Sequence, residues 1–135
     1  MNKNNSLEVI KDCTTYIKNH LQDTLTAESL ASRYGYSLYH FCHIFKICCD
    51  MSPGKYIRLL RLEKAKKDIL SGMSITQAGF DNGFETSSGF SKAFRKEYGI
   101  SAREYLKQNK ESEVLIMLHV EIKALRSQTA LGYEI

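Results

Sequence analysis

Histidine and cysteine side chains are concentrated in one short stretch of the chain, which contains His40, Cys42, His43 and Cys48. Imidazole and thiolate groups are preferred zinc ligands, so a metal or redox centre is the first chemistry to weigh. Structural zinc sites show paired short spacings such as Cys-x-x-Cys, which the adjacent Cys48 and Cys49 do not provide. We therefore interpret the cysteines as reduced, buried or incidental thiols and predict no metal site and no cofactor.

The same stretch does not predict catalysis. A nucleophilic cysteine needs a base that faces it, whereas Cys42 and His43 are adjacent and diverge on a helix. The sequence shows no phosphate-binding glycine loop and no nucleophile, base and acid in a recognisable arrangement. We predict that the protein is not an enzyme.

A different chemistry follows if this stretch forms one helix with its phenylalanines inward. The opposite face then carries Tyr39, Cys42, His43 and Lys46. Lysine and histidine can each donate to guanine O6 or N7, although neither reproduces the double donation of arginine. Tyrosine and cysteine can pack against a thymine methyl. The face suits double-stranded DNA, although each of these side chains taken singly also fits a solvated surface.

Two segments of the chain repeat one pattern. Gly35-Tyr36 corresponds to Gly83-Phe84 with an offset of 48 residues, and the later pairs are offset by 49, so the second turn has one extra residue. These later pairs are Phe41 with Phe90, Phe45-Lys46 with Phe94-Arg95, Ser52 with Ser101, and Tyr56 with Tyr105. Such matches, four of them aromatic, indicate a tandem duplication.

The first copy predicts two helices joined by a tight turn. Thr26 is expected to cap residues 27–34, Gly35 provides the positive φ of the turn, and Ser37 caps residues 38–49. The inward side chains predicted on the second of these helices are Leu38, Phe41, Phe45 and Cys48.

The second copy repeats this arrangement. Ser74 is expected to cap residues 75–82, Gly83 closes that helix, and another helix follows over residues 87–98. Two short helices joined by a glycine turn form a helix-turn-helix unit, whose second helix can enter the DNA major groove.

A long helix is predicted between the copies, starting at Ser52-Pro53 and ending near residue 71. It would span roughly 28 Å, close to the roughly 34 Å between successive major-groove faces. One chain could therefore hold two recognition helices near adjacent groove segments. On this helix, Arg61 is expected to brace the structure by pairing with Glu63 or Asp68, and Arg58 could brace it or contact phosphate.

A leading helix is predicted ahead of both copies, with Asn5 and Glu8 as its capping box. We expect it to cover the core of the first unit. Its apolar face would consist of Leu7, Ile10, Thr14, Ile17 and Leu21.

Three motifs, in this order, resemble the DNA-binding domain of AraC/XylS-type transcription regulators. They are Tyr-Ser-Leu-Tyr-His-Phe-x-x-x-Phe-Lys (36–46), Met-Ser-Pro-Gly-Lys-Tyr-Ile-Arg-Leu-Leu-Arg-Leu (51–62) and Gly-Phe-Glu-Thr-Ser-Ser-Gly-Phe-Ser-Lys-Ala-Phe-Arg-Lys-Glu-Tyr-Gly (83–99). The resemblance covers about residues 7–107. It implies an all-α domain over residues 1–110, with helix-turn-helix units at about 26–49 and 75–98 and the linking helix at about 53–71.

The resemblance also implies which side chains meet DNA. The first recognition helix would present Tyr39, Cys42 and His43 to bases and Lys46 to phosphate. The second would present Ser88, Gly89 and Lys92 to bases, with Arg95 near the backbone. Because serine and glycine read little sequence themselves, the second unit could mainly position the protein and sense DNA shape.

The chain departs from the family pattern inside the second unit. Ala78-Gly79 stands where a larger aliphatic residue followed by alanine is usual, and Asn82 stands where an apolar residue or cysteine is usual. A glycine inside a helix costs roughly 1 kcal/mol relative to alanine. The second unit is therefore expected to be less stable, or its short helix to approach its neighbour closely at Gly79.

Composition and charge agree with a DNA partner. The chain has 135 residues, 43% of them hydrophobic and 25% charged, with one proline, which favours a soluble helical protein. Residues 1–110 hold 17 of the lysines and arginines against 11 acidic side chains, whereas residues 111–135 hold 2 against 4. No apolar run approaches the roughly 20 residues of a membrane helix, and the first residues lack a secretory pattern, which predicts a cytoplasmic protein without a membrane partner.

Residues 111–135 change character. After the apolar run 114–118, residues 120–124 alternate between apolar and charged side chains, as a strand does. Residues 120–134 weakly resemble the opening strand of gyrase-inhibitor-like effector-binding domains, which would make the chain a fragment of a longer regulator or a shortened relative. A tail strand could pair with a second copy into a dimer, and a C-terminal helix that covers the core is the alternative.

We predict a sequence-specific DNA-binding transcription regulator that binds DNA as a monomer. Because the resembled family more often activates, we expect an activator, with RNA polymerase as a further partner. One alternative is a fragment of a ligand-responsive sensor whose effector domain is mostly absent. Another is a helical protein-interaction module without DNA binding.

Overall fold

A computed structural model describes residues 3–110 and 117–118, and their regular structure is entirely helical. The first six helices are α1 (Lys3–Asn19), α2 (Ala27–Arg33), α3 (Leu38–Cys49), α4 (Pro53–Leu70), α5 (Ile75–Asp81) and α6 (Ser87–Tyr98). Residues 102–110 form a further helix, α7, and residues 117–118 are also helical. The predicted all-α architecture of two helix-turn-helix units and a linking helix is confirmed for these residues.

Side-chain caps start the helices where the sequence predicts them. Thr26, Ser37, Ser52 and Ser74 each accept a hydrogen bond from the backbone N–H three residues later. The bounds of α3 and α6 agree with the predicted ones, and α2, α4 and α5 end one residue earlier. The prediction that Asn5 caps the leading helix is wrong, because α1 already includes Lys3 and no glycine or proline interrupts it there.

The first unit encloses its core between α1, α2, α3 and the start of α4. The buried side chains are Ile10, Cys13, Ile17, Leu21, Leu30, Ala31, Tyr36, Phe41, Ile44, Phe45 and Ile57. The prediction that Leu38 and Cys48 face inward from α3 is wrong, since Leu38 is 43% exposed and Cys48 is exposed. They lie in the first and last turns, where the neighbouring helices no longer cover the side chain. Ile44 takes their place beside the phenylalanines.

The second unit packs against the linking helix. Leu62, Ala65 and Ile69 of α4 are buried, as are Ala78 of α5 and Phe90 of α6. A Cβ at Gly79 would lie 2.8 Å from Cδ2 of Phe90. The predicted close approach at Gly79 is therefore confirmed, since only a glycine lets the backbone of α5 pass this ring without displacing it.

Asn82 joins the second unit to α4 through a buried polar contact. Its side chain is fully buried, and its Nδ2 donates to the Asp68 carboxylate at 2.8 Å and to the Ala78 carbonyl at 2.8 Å. Its Oδ1 finds no hydrogen-bond partner among the described residues. This orientation is the favourable one, because the exchanged amide would place an oxygen against two acceptors.

Arg61 braces the linking helix, but not through the predicted ion pairs. Its guanidinium donates to two main-chain carbonyl oxygens, those of Leu21 and Asp23. Asp68 instead accepts from Asn82, and Glu63 pairs with Lys66 at 3.3 Å. The acceptors lie in the loop between α1 and α2, some 40 residues away in the chain, which local spacing cannot reveal.

The chain divides into two compact regions whose boundary falls between Ala93 and Phe94, inside α6. In the second region, the ring of Phe94 packs edge-on against Tyr98 at 4.6 Å and Tyr105 at 5.7 Å between centroids. This aromatic cluster holds the end of α6 against α7. The predicted domain boundary at residue 110 stays a prediction. The strand and the effector-domain resemblance predicted for residues 120–134 lie outside the described residues.

Candidate nucleic-acid interface

The outward face of α3 carries the side chains that the sequence assigns to DNA. Tyr39 is 82% exposed, and His43 and Lys46 are also exposed. The opposite face is fixed by Phe41 and Phe45, which are fully buried. A helix clamped on one side by two phenylalanines therefore holds these polar side chains at defined positions toward solvent.

The rings of Tyr39 and His43 are aligned along this face. Their centroids are 6.3 Å apart and their planes differ by 3°. Because the two residues are one helical turn apart, both rings project from the same side of α3. They offer one imidazole donor or acceptor beside a flat aromatic surface, which suits the polar edges and methyl groups of bases in a major groove.

Cys42 is half-buried and packs against the first core. Only part of its side chain is accessible on the outward face, and its contact with bases stays a prediction. Burial raises the pKa of the Cys13 thiol to about 12 and also raises the pKa of Cys49. Both thiols are therefore protonated at neutral pH, when a thiol is a poor nucleophile.

A metal centre finds no support in the part of the chain that the structure describes. No group of three or more His, Cys, Asp or Glu side chains there is arranged to hold an ion. Nor does any helix of these residues combine the length and apolarity needed to cross a membrane.

Ile47 belongs to the same outward face and was missed from the sequence. It is 70% exposed, although isoleucine is among the residues most often buried. Its spacing gives the signal, because it follows His43 by four residues and must share that side of α3. An exposed branched side chain at this place is suited to pack against a thymine methyl.

The outward face of α6 is smaller and more basic. Ser88, Gly89, Lys92 and Arg95 are all exposed. Thr86 caps the helix, since its Oγ1 accepts from the Gly89 N–H at 2.9 Å. Ser88 and Gly89 therefore lie in the first turn of α6. Because serine is small and glycine has no side chain, another molecule has room to approach the backbone there. Lys92 lies about one turn further on.

The duplication lets the two faces be compared position by position. With the offset of 49 residues, Tyr39 corresponds to Ser88, His43 to Lys92, Lys46 to Arg95 and Ile47 to Lys96. The large aromatic and aliphatic side chains thus occur on α3, and α6 has one hydroxyl and two ammonium groups in their place. Together with the linking helix, these two faces define a tandem helix-turn-helix domain.

Comparison with known proteins agrees with this class. The family model of a helix-turn-helix domain matches residues 30–108. The transcriptional activator RhaS of Escherichia fergusonii is 31% identical over 100 residues, and the alignment covers 73% of this chain and 36% of RhaS. The transcriptional activator AarP of Providencia stuartii is 24% identical over 115 residues, and that alignment covers 84% of this chain and 85% of AarP. The chain thus spans about a third of the length of RhaS and most of the length of AarP.

Two solved structures have the same fold. A transcriptional regulator from Chromobacterium violaceum with an AraC-type DNA-binding domain matches with a TM-score of 0.70 and 25% identity, over 78% of this chain and 96% of that one. The DNA-binding domain of AdpA, solved with a target DNA, matches with a TM-score of 0.73 and 19% identity, over 76% of this chain and 94% of that one. The chain belongs to the AraC/XylS-type helix-turn-helix family.

Proposed function

We propose that this chain is a sequence-specific transcription regulator that inserts α3 and α6 into adjacent major-groove segments of one DNA duplex. The observation that carries the proposal is the exposed face of α3, where Tyr39, His43 and Lys46 project from a helix whose other side is buried. A face of the same layout recurs on α6. RhaS and AarP are transcriptional activators by name, and the AdpA domain was solved on its target DNA.

On α3, His43 supplies a single hydrogen bond to a base edge, most naturally to guanine N7 or O6. Tyr39 and Ile47 flank it and contact thymine methyls, and Cys42 contributes what its half-buried side chain leaves accessible. Lys46 binds phosphate, which adds affinity without sequence information.

On α6, Lys92 supplies the base-edge donor and Arg95 binds the phosphate backbone. Ser88 and Gly89 allow the first turn of α6 to come close to the DNA. This unit contributes affinity and shape recognition more than base discrimination.

The length of α4 supports binding as a monomer. Its 18 residues span about 27 Å, comparable to the roughly 34 Å between successive major-groove faces on one side of B-DNA. In this proposal, one chain carries the two recognition helices that a symmetric dimer otherwise provides.

Selection of duplexes from a random pool tests the assigned roles. His43→Ala is expected to relax preference at one or two base pairs, by about 1 kcal/mol of discrimination, because a single hydrogen bond is lost. Lys46→Ala is expected to weaken all sequences about equally and to leave the selected site unchanged. Lys64→Ala removes an exposed lysine of α4 and serves as the matched control. Identical selected sites for wild type and His43→Ala would show that His43 does not read a base.

Salt dependence tests the nature of the contact. If about six phosphates are neutralised, the logarithm of the association constant should fall with the logarithm of salt concentration at a slope near −5. Lys46→Ala should reduce the slope by about 1. A response that does not change with salt would contradict DNA binding through these basic side chains.

We further propose that the chain activates transcription, with RNA polymerase as a second partner. A promoter that carries the selected site beside its polymerase-binding region should yield more transcript when purified protein is added to bacterial RNA polymerase. The same promoter with a scrambled site is the control. A decrease in transcript at every placement of the site would identify a repressor.

A further inference from the structure

Arg61 lies where three separate segments of the chain meet. It is in the middle of α4 and half-buried, and its Nε–H and Nη2–H donate to the carbonyl oxygens of Leu21 at 3.0 Å and Asp23 at 2.8 Å. These carbonyls belong to the loop between α1 and α2, within the first helix-turn-helix region. Burial lowers the pKa of Arg61 from its ordinary value, because a charged guanidinium that is partly removed from water loses hydration.

The turn of the second unit packs onto the same point. A Cβ at Gly83 would lie 2.6 Å from the Leu21 oxygen and 2.7 Å from Nε of Arg61. At Gly35, the corresponding position in the first unit, a Cβ would meet nothing within 4 Å. Gly83 is therefore required for close approach, and the second turn lies directly against the guanidinium and the loop of the first unit.

We propose that Arg61 is a positioning residue that sets the separation and angle between the two recognition helices, and thereby the spacing of the two half-sites that the protein accepts. The inference rests on the proposed function, in which α3 and α6 bind one duplex. α4 fixes the distance along its axis, and its Asp68 is bonded to Asn82 of the second unit. Arg61 adds a second fixed point, because its planar guanidinium bonds the first unit while the second turn rests on it.

A series of duplexes that vary only in spacing tests the proposal. The two selected half-sites are placed at their native separation or with one or two base pairs inserted or deleted. Each base pair shifts one half-site by about 3.4 Å and turns it by about 36°. For the wild-type protein, one inserted or deleted base pair should lower the affinity by about tenfold or more, because a rigid pair of units cannot follow the shift.

Arg61→Met retains much of the apolar stem and removes both hydrogen bonds. It should bind the duplex with the native spacing more weakly than the wild type does. Its affinity should fall by less than about threefold when a base pair is inserted or deleted. Arg61→Lys keeps the charge but lacks the planar double donor, so it should flatten the spacing dependence as well. Binding to a duplex with a single half-site should equal that of the wild type, because each recognition helix is intact.

Arg58→Met is the matched control, since Arg58 is an exposed arginine on the same helix. It should keep the steep wild-type spacing dependence, with at most a uniform change in affinity at every spacing. If Arg61→Met fails to fold, as judged by circular dichroism and thermal unfolding, Arg61→Lys decides the question by the same criterion.

The outcomes separate the two proposals. If the wild type depends steeply on spacing and the folded Arg61 variants keep that dependence, Arg61 does not position the units, although the protein still binds DNA. Loss of single half-site binding in a folded Arg61 variant would also overturn the inference, since it would place Arg61 in the recognition surface or its support. If the wild type selects no duplex at all, the proposed function fails and the inference fails with it.

Discussion

The two helix-turn-helix units follow one plan but are stabilised differently. In the first, α1 covers a core of aliphatic and aromatic side chains, and Ala31 and Tyr34 stand where the second unit has Gly79 and Asn82. In the second, α5 lies so close to α6 that a methyl group does not fit, and the fully buried Asn82 bonds to Asp68 of α4. The difference shows that a duplicated unit can exchange a covering helix for closer packing and a polar bond to the linking helix.

The outward faces of the two recognition helices also carry different kinds of side chain. α3 exposes the larger aromatic and aliphatic side chains, whereas α6 exposes small residues followed by cations. The outward face of the first unit thus presents more aromatic and aliphatic surface, and that of the second unit presents more positive charge. Four pairs of substitutions test these differences, in order of decreasing expected effect.

A methyl group added at the glycine of each turn should destabilise the second turn more than the first. Gly83 and Gly35 both have positive φ, at 92° and 75°, but only Gly83 is crowded. Gly83→Ala should lower the free energy of unfolding by about 3 kcal/mol or more, from backbone strain and collision with the Leu21 carbonyl. Gly35→Ala should cost about 1–2 kcal/mol from strain alone. Urea unfolding measures both, and equal losses would mean that the second turn is not packed as described.

The approach of α5 to α6 should make Gly79 irreplaceable. An added methyl group would collide with Phe90, which costs about 1–3 kcal/mol, against a gain of about 1 kcal/mol in helix propensity. Gly79→Ala should therefore lower stability by up to about 2 kcal/mol. Gly54→Ala is the matched control, because nothing lies within 4 Å of its Cβ position and its stability should hold or rise. A stabilised Gly79→Ala protein would disprove the close packing.

Cys13, which is buried in the first unit, should make the stability of the protein sensitive to alkaline pH. Burial, followed by the neighbouring Cys49, raises the pKa of Cys13 from 9.0 to about 12. The unfolded chain therefore releases this proton at a lower pH than the folded protein does. The full free energy of unfolding is retained below pH 9, and it falls as the pH rises toward 12. The loss at pH 10 should be about 1 kcal/mol.

Urea unfolding from pH 8 to 11 tests this dependence. Cys13→Ala should be less stable at neutral pH because of the cavity, but its stability should fall less between pH 9 and 11. Cys48→Ala, at an exposed position, should keep the wild-type dependence. If the Cys13→Ala curve runs parallel to the wild type, this thiol does not account for the alkaline loss.

The smallest effect is expected at the matched positions Ile47 and Lys96. Ile47→Ala should reduce preference for thymine at one position by about 1 kcal/mol, roughly fivefold. Lys96→Ala should lower affinity for all sequences slightly and uniformly. Competition binding with single-base variants of the selected site measures both effects. Specificity lost at Lys96 and unchanged at Ile47 would reverse the roles assigned to the two faces.

Local signals were sufficient to predict most of the fold. Ser37 and Ser74 are caps whose partners lie three residues away, so the helix starts follow from the sequence alone. The repeat of Phe41 and Phe90 likewise revealed the duplication. The exposure of side chains at helix ends was harder to predict, because it depends on which of them the neighbouring helices cover. For this reason Cys48 was wrongly predicted to face inward.

Contacts between distant segments could not be predicted. Arg61 bonds main-chain carbonyls of a loop that precedes it by some 40 residues, and main-chain acceptors leave no trace in side-chain identity. The bond from Asn82 to Asp68 was equally invisible, although the unusual asparagine marked the place. The place of Ile47 on the outward face could be predicted, because its spacing from His43 is helical.

In the proposed mode of binding, one chain places two recognition helices in adjacent major-groove segments. Hydroxyl-radical and methylation footprints of the protein on its selected site, with stoichiometry measured in parallel, test this most directly. If this mode is correct, one protein should bind each duplex and protect two major-groove segments about 10 base pairs apart on one side of the DNA. A single protected segment, or two segments that require two proteins, would contradict it.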